Sequence, residues 1–237
     1  MSVLVKKYCP RLARGDFVGI INKYFDRHAL SSYSQEGEDM ILRRLFDGKT
    51  VGFYVDVGAH HPKRFSNTYF FYKLGWSGIN IDAMPGSMTE FNKLRKRDIN
   101  LELGVRGDRG CLEYYMFNEP ALNSFSKELS EQRHDENSQY RISTTAEVEV
   151  RPLAEILDEY LPKDKEIDFL SVDVEGFDLD VLTSNDWDKY RPQYVLAEIL
   201  GSNFQDLGND PVVQYIKKQN YKVFCKCMNT VFFESND

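Results

Sequence analysis

Acidic side chains recur where the predicted strands of this sequence end. They are Asp56, Asp82, Asp173, Glu175 and Glu198. Carboxylates are seldom buried without partners, so packing alone does not explain such a set. Each could instead cap a neighbouring helix, which contributes only about 0.3–1 kcal/mol. Because ligands bind beyond the carboxyl ends of the strands in open α/β sheets, we expect these side chains to meet at one ligand site.

The spacing between the first two strand ends indicates what that ligand is. Gly58 follows the first strand, and Asp82 stands at the tip of the second, where a carboxylate suits the two hydroxyls of a ribose. The segment Gly58-Ala59-His60-His61-Pro62 lacks the GxGxxG pattern that brings a pyrophosphate onto a helix N-terminus. A nucleoside cofactor without a pyrophosphate, such as S-adenosylmethionine, is therefore preferred over NAD.

The elements that would position these residues alternate between short apolar runs and amphipathic segments. Strands separated by helices imply right-handed crossovers and parallel pairing, whereas the short connection between the last two strands requires an antiparallel hairpin. The predicted fold class is α/β, a Rossmann-like, doubly wound, mainly parallel seven-stranded sheet with a C-terminal antiparallel hairpin, preceded by N-terminal helices. Its strands are predicted at 53–58, 79–82, 100–105, 167–173, 193–199, 221–225 and 230–234, and its helices at 35–46, 66–74, 87–97, 153–161, 179–184 and 211–219.

Two further strands, at 112–117 and 147–151, are predicted to form a small β insertion between the third and fourth strands of the sheet. The segment between them, about 118–146, is polar, and only three of the twenty residues from Ser126 to Thr145 are hydrophobic. A segment of this composition does not supply a core of its own. We therefore interpret it as a loop or mobile flap beside the ligand site.

Composition and charge exclude several classes of protein. Of the 237 residues, 42% are hydrophobic and 28% charged, the usage of a globular chain and not of a fibrous or disordered one. The net charge of −7 excludes an overall basic field that would gather nucleic acid, so no nucleic-acid partner is expected. No apolar run approaches the length of a transmembrane segment. Residues 1–30 carry six basic and two acidic groups. We interpret residues 1–33 as a solvated helical lead-in, and weak association with a membrane surface or a glycosyltransferase is the alternative.

The four cysteines and four histidines show neither a zinc-ligand spacing nor an HExxH pattern. Cys225 and Cys227 alternate along one predicted strand and would share a face. Unpaired thiols are typical of a reducing compartment, and the basic start of the chain lacks the apolar core of a secretory signal. The predicted location is the cytoplasm.

Five blocks of the sequence, in matching order and spacing, resemble FkbM-type S-adenosylmethionine-dependent methyltransferases. The resemblance runs from about Ser34 to Glu198, and the final hairpin is similar to the end of the class I methyltransferase sheet, so residues 34–237 are predicted to be a single methyltransferase domain. The sequence differs from the usual family pattern by Asp at position 82 and His at position 60. The five blocks are Ser34–Asp39, Val55–Pro62, Ser66–Thr68, Gly75–Asp82 and Ile167–Gly176.

The resemblance implies O-methylation of a small-molecule or glycan acceptor, either a sugar hydroxyl of a surface polysaccharide or a hydroxyl of a natural product. Backbone at Gly58 would admit the methionine end of the cofactor, Asp82 would bind its ribose, and Gly104 with Val105 would flank adenine. Residues of the first helix would close over the methionine ammonium. The expected cofactor-binding residues are Gln35, Glu38, Asp39, Asp56, Gly58, Ala59, Asp82, Ala83, Gly104, Val105 and Asp173.

A hydroxyl is a poor nucleophile until its proton is withdrawn, and a positioned base contributes about 10²–10⁴-fold. Asp173, Glu175 and His60 are the candidate bases. Alternatively, Asp173 and Glu198 would hold a divalent cation, magnesium or manganese, that binds the acceptor oxygens and lowers their pKa.

Two other functions compete with methyl transfer. An NAD-dependent sugar oxidoreductase is disfavoured by the missing GxGxxG and by the absence of a Tyr-x-x-x-Lys pair near the end of the fourth strand. A non-catalytic cofactor-binding module of the same fold is disfavoured because the acidic set is complete.

Overall fold

A parallel sheet forms the centre of the computed structural model, which describes residues 29–136, 139–201 and 203–237. Within these ranges, Tyr33–Asp237 form one unit. The predicted lead-in at 1–33 lies almost entirely outside the described residues. In chain order the strands are β1 Phe53–Val57, β2 Ser77–Asp82, β3 Ile99–Glu102, β4 Gly104–Val105, β5 Gly110–Phe117, β6 Ile142–Arg151, β7 Phe169–Val172, β8 Tyr194–Glu198, β9 Tyr221–Cys227 and β10 Thr230–Ser235.

The predicted fold class is confirmed. The main sheet has the order β3-β2-β1-β7-β8-β10-β9, and its pairs are parallel except where β10 runs antiparallel to β8 and β9. All five residues of β1 are buried, as expected for a parallel strand that is covered on both faces. The strand order reverses between β1 and β7, which places a ligand crevice at their carboxyl ends.

Helices pack on the two faces of this sheet. Val55 and Val57 of β1 lie in one apolar cluster, and Tyr54 lies in the other with Trp76 and Phe169. No helix among the described residues is long and apolar enough to cross a membrane. The helices are α1 Glu38–Leu45, α2 Tyr69–Leu74, α3 Met88–Leu94, α4 Lys127–Glu136, α5 Leu153–Tyr160, α6 Asp178–Thr183 and α7 Pro211–Lys218.

The predicted third strand, 100–105, is divided between two sheets. β3 pairs with β2, whereas β4 pairs with β6 and joins the small sheet β4-β6-β5. Gly104 permits this departure, because a Cβ at this position would lie 2.6 Å from the ring of Phe125 and 2.9 Å from Val150. The main sheet therefore ends at β3, and the chain passes directly into the insertion.

The prediction that the segment at about 118–146 is an irregular loop is wrong for much of its length, whereas its role as a flap stays a prediction. Helix α4 occupies Lys127–Glu136, and β6 begins at Ile142. Ser126 Oγ accepts a hydrogen bond from the Leu129 N–H at 3.2 Å, which satisfies one free donor of the first turn. Polar composition misled the prediction because this helix is held by hydrogen bonds and ion pairs more than by an apolar face.

An ion pair with no exposure to solvent lies beneath the β1–α2 connection. Arg95 Nε donates to Asp98 Oδ2 at 2.8 Å, and both side chains are fully buried. The guanidinium also donates to the Pro62 carbonyl at 3.0 Å, to the Tyr54 hydroxyl at 2.7 Å and to Thr68 Oγ1 at 3.0 Å. Arg95 thus joins α3, β1 and the loop that carries His60 and His61.

Arg95→Ala should lower the free energy of unfolding by about 3–5 kcal/mol, because it leaves Asp98 charged and buried without its partner. The matched control is Arg44→Ala, since Arg44 and Asp47 form an ion pair of the same i, i+3 spacing whose side chains are 85% and 77% exposed. That variant should lose less than about 1 kcal/mol. Urea unfolding of the three proteins gives both values, and equal losses would contradict the assigned role of Arg95.

Candidate active site

A cavity of about 280 Å³ opens at the carboxyl ends of β1, β2 and β7. The main sheet supplies one wall, and the insertion supplies the other with Tyr114, Asn123 and Phe125. The structure therefore brings most of the predicted site residues to one cavity. Those lining it are Gln35, Gly58, His60, Asp82, Ala83, Gly104, Val105, Asp173, Glu175 and Glu198.

Four predicted cofactor-binding residues are not among the lining of this cavity. Glu38 accepts from the Thr230 hydroxyl of β10 at 3.0 Å and from the Glu36 N–H at 2.9 Å, and Asp39 accepts from the Tyr33 N–H at 2.7 Å, so both carboxylates hold the segment before α1. Ala59 is buried and its N–H donates to the Ile81 carbonyl at 3.0 Å.

Asp56, the fourth of these residues, lies on the other face of β1. Its Oδ2 accepts from Thr68 Oγ1 at 2.9 Å, and Thr68 in turn accepts from Arg95. Burial raises the pKa of Asp56 to about 6, against the opposing effect of the Thr68 hydrogen bond. Asp56 therefore connects the buried arginine to β1 and does not face the cavity.

Gly58 lies so close to the backbone of Asp173 that no side chain fits at this position. Its φ is +83°, and a Cβ at this position would lie 1.7 Å from the carbonyl oxygen of Asp173. The loop after β1 and the end of β7 thus approach too closely for any side chain. Close approach to protein backbone, in addition to any approach to a ligand, requires glycine here.

Asp82 is buried, and each of its carboxylate oxygens accepts one backbone hydrogen bond. Oδ2 accepts from the His60 N–H and Oδ1 from the Met84 N–H, both at 2.8 Å. Burial raises the pKa of Asp82, and these two hydrogen bonds oppose the rise. An ionised carboxylate has about four acceptor positions, so lone pairs remain for a ligand that lies in the cavity.

His60 has an unusual backbone and an unpaired ring nitrogen. Its φ of +53° lies in the left-handed region, which costs a non-glycine residue about 1–2 kcal/mol. Its Nε2 is buried and has no hydrogen-bond partner among the described residues. Burial lowers the pKa of His60, and the positive charge of Arg64 lowers it further. The lowered pKa favours the neutral ring, whose buried Nε2 can bind a ligand or accept a proton.

Three carboxylates converge at the ends of β7 and β8. One oxygen each of Asp173, Glu175 and Glu198 lies within 4.8 Å of the others. Desolvation in the recess, followed by repulsion from Glu198, raises the pKa of Asp173 well above its ordinary value. Desolvation and repulsion from Glu175 raise the pKa of Glu198 to about 8. Asp178, which the sequence analysis did not single out, lies beside them and is buried, and its pKa is raised by burial and by Asp173.

The insertion supplies residues that the sequence analysis missed. Arg133 of α4 pairs with the carboxylate of Glu175, and Ser124 Oγ donates to the Glu175 carbonyl at 2.9 Å. On the opposite side of the cavity, Arg64 donates to Glu119 at 3.2 Å. No sequence motif marks Arg133, because it stands among the ordinary surface charges of a polar segment.

Comparison with known proteins identifies a family. The methyltransferase FkbM domain model matches residues 56–223, more than two thirds of the chain. No curated protein sequence matches the chain significantly. Among solved structures, a crystal structure named "putative O-methyltransferase from Klebsiella pneumoniae" is similar at 12% identity and a TM-score of 0.42, covering 100% of this chain and 96% of that one. A likeness this distant carries no residue role over to this chain.

Gly58→Ala should destabilise the protein much more than Gly48→Ala. Both glycines have φ near +80°, at +83° and +81°, so both variants incur the left-handed penalty of about 1–2 kcal/mol. Only at Gly58 does the added methyl meet backbone, whereas nothing lies within 4 Å at Gly48. We expect an additional loss of about 2 kcal/mol at Gly58, measured by urea unfolding. Equal losses in the two variants would contradict the prediction, because they would mean that the backbone at Asp173 moves away from the added methyl group at little cost.

Stability should fall as pH rises between about 4.5 and 8, in part because of Glu198. In this window the folded state retains a proton that the unfolded chain has released, since the pKa of Glu198 is raised from 4.5 to about 8. The state that binds more protons is disfavoured as pH rises. Glu198→Gln should therefore flatten the dependence, whereas Glu149→Gln, at an exposed position, should not. Unfolding free energies measured at both ends of the window decide this, and an unchanged slope in Glu198→Gln would contradict it.

Proposed function

This chain belongs to the methyltransferase FkbM family, and from that premise we propose that it is an S-adenosylmethionine-dependent O-methyltransferase whose acceptor is a sugar hydroxyl of a glycan. The observation that carries the proposal is the convergence of Asp82, His60 and Asp173 on one cavity. These residues come from three different strand ends, and a structural role for each separately would not require them to share a cavity.

The cavity offers a suitable surface for each part of the cofactor. Asp82 has carboxylate lone pairs for the ribose hydroxyls. Val105 and the rings of Tyr114 and Phe125, which pack against each other at 4.7 Å between centroids, form an apolar wall of the kind that a flat base can lie against. Gln35 and the backbone at Gly58 line the remaining side, where the amino acid end would lie. The residues present therefore fit S-adenosylmethionine.

When bound, this cofactor supplies a methyl group on a positively charged sulfur. The acceptor hydroxyl must lose its proton as its oxygen attacks that methyl. His60 is suited to take the proton, because its lowered pKa favours the unprotonated ring and its Nε2 has no hydrogen-bond partner in the part of the chain that the structure describes. Asp173 and Glu175, the other two candidate bases, have raised pKa values, so each can donate or accept a hydrogen bond with a hydroxyl of the acceptor.

A divalent cation is the alternative to direct proton removal. Asp173 and Glu198 would hold magnesium or manganese, with Glu175 close enough to join them. The buried Glu198 Oε2, which has no partner among the described residues, favours this alternative. The Arg133–Glu175 ion pair argues against a three-carboxylate cation site, because Glu175 already has a positive partner.

An acidic cavity favours a neutral polyhydroxyl acceptor over an anionic one, which is why we propose a glycan acceptor and retain a natural-product hydroxyl as the second candidate. We place the reaction in the cytoplasm, where the thiols of Cys111, Cys225 and Cys227 would stay reduced.

Calorimetry and a transfer assay test this function together. S-adenosylhomocysteine should bind and NAD should not, and ligand at about 100 times its dissociation constant should add roughly 2.7 kcal/mol of stability. Labelled S-adenosylmethionine should then transfer its methyl group to members of a panel of methyl glycosides as a base-stable ether. Binding of NAD alone would support the oxidoreductase instead. Cofactor binding without transfer to any glycoside, or to a panel of natural-product phenols and alcohols, would favour a non-catalytic module.

Variants and chelation separate the two ways of removing the proton. Asp173→Asn, Glu175→Gln and His60→Gln should each keep affinity for S-adenosylhomocysteine, and the variant that removes the base should lower turnover by about 10²-fold or more. Full activity in the presence of a chelator would assign the step to a side chain. Loss on chelation and recovery with magnesium or manganese would make Asp173 and Glu198 cation ligands, with Glu198→Gln equally damaging.

A further inference from the structure

We propose that Asp82 is a positioning residue for His60: the carboxylate that faces the ribose site also fixes the backbone from which the candidate base projects. The inference rests on the proposed function for the roles of the ribose site and of His60. Its structural basis, the contact between the two residues, is independent of that function.

The first step is the backbone contact itself. The loop after β1 is fastened to the end of β2 by three successive N–H groups. Those of Gly58 and Ala59 donate to the Ile81 carbonyl at 2.9 and 3.0 Å, and that of His60 donates to Asp82 Oδ2 at 2.8 Å. The first two bonds need only backbone, whereas the third requires a side chain with an acceptor oxygen at position 82, and a carboxylate has one for His60 and one for Met84.

The second step is the strain at His60. A left-handed residue with a side chain persists only where its surroundings hold it. The Asp82 hydrogen bond is one restraint on this conformation. A second is the hydrogen bond from the His61 N–H to the Ala59 carbonyl, at 2.6 Å, which closes a turn around His60. A third is the contact of the imidazole with the ring of Phe65, at 6.1 Å between centroids and 20° between planes, and Phe65 itself has a φ of +55°. Of these, only the Asp82 contact ties His60 to the end of β2.

The third step links the contact to the ligand. Asp82 lines the same cavity as His60, and both of its oxygens already hold a backbone N–H. The hydroxyls of a vicinal diol would donate hydrogen bonds to the remaining lone pairs of Asp82. Because these bonds share the negative charge of one carboxylate, they would weaken its hydrogen bond with the His60 N–H. A ligand in the ribose site would therefore change the hydrogen bond that holds the His60 backbone, before any acceptor binds.

The test follows the imidazole of His60 by NMR in the whole protein. Its Cε1–H signal is assigned by comparison with His60→Gln, and its pKa is measured without ligand. Asp82→Asn replaces one acceptor oxygen with a donor, so the His60 loop should relax. The pKa of His60 should then rise toward its ordinary value by about half a pH unit or more. Arg64, His61 and Glu119 are the charged or titratable groups that face His60, and none of them is changed.

The matched control is Asp173→Asn, which neutralises another carboxylate of the cavity. It should leave the pKa of His60 as in the parent, because the two charged groups that lower that pKa are Arg64 and His61. An Asp82→Asn variant with the parental pKa at His60, or an equal shift in both variants, would overturn the proposal.

A second arm uses adenosine and 2′,3′-dideoxyadenosine as probes. At equal occupancy, adenosine should shift the His60 signal in the parent and in Asp173→Asn but not in Asp82→Asn, and the dideoxy compound should shift it in none of them. Adenosine that binds without moving the signal would overturn the coupling. If neither nucleoside nor S-adenosylhomocysteine binds, the proposed function fails, and the ligand-free comparison still decides whether Asp82 positions His60.

Discussion

Arg95 has no contact with solvent, so protein groups must satisfy its charge and its donors. Asp98 neutralises the charge, and Tyr54, Thr68 and the Pro62 carbonyl accept the remaining hydrogen bonds. A buried charge without its partner is strongly destabilising. Arrangements of the surrounding chain that separate Arg95 from Asp98 are therefore unfavourable. Because one of the acceptors lies two residues after His60, the same requirement that fixes the packing of α3 also restricts the loop on which the candidate base stands.

Whereas the group beneath the β1–α2 connection is the positively charged Arg95, the cavity at the strand ends is lined by carboxylates. Its carboxylates repel one another and are desolvated, which is why the pKa values of Asp173 and Glu198 rise. The insertion offsets part of that repulsion, since Arg133 pairs with Glu175 and lowers the cost of holding negative charge there. Two ion pairs of the cavity thus join the insertion to the loops at the strand ends: Arg133 with Glu175, and Glu119 with Arg64.

The sequence predicted the sheet because parallel strands buried on both faces leave a strong signal, as in Phe53–Val57. It also predicted most of the cavity, since the carboxyl ends of those strands must meet at one edge. It did not reveal Arg95 and Asp98, which stand in the run Leu94-Arg95-Lys96-Arg97-Asp98 and look like a solvated surface. Helix α4 was missed for a related reason, because its stability comes from partners distant in sequence and not from its own apolar face. Asp56 was assigned to the cavity because the sequence pattern does not distinguish the two faces of a fully buried strand.

The passage of the chain from β3 into β4 makes the molecule modular. The insertion has its own sheet, with its own register between β5 and β6. Its contacts with the main body include the Ser124–Glu175 hydrogen bond and the packing of Phe125 against Phe177 and Gly104. Under the proposed function, the residues that would face the acceptor can therefore change, in number as well as in type, while the strand ends that would hold the nucleoside keep their geometry. If that function holds, the segment between Gly110 and Arg151 is the natural unit to exchange when a new acceptor is sought.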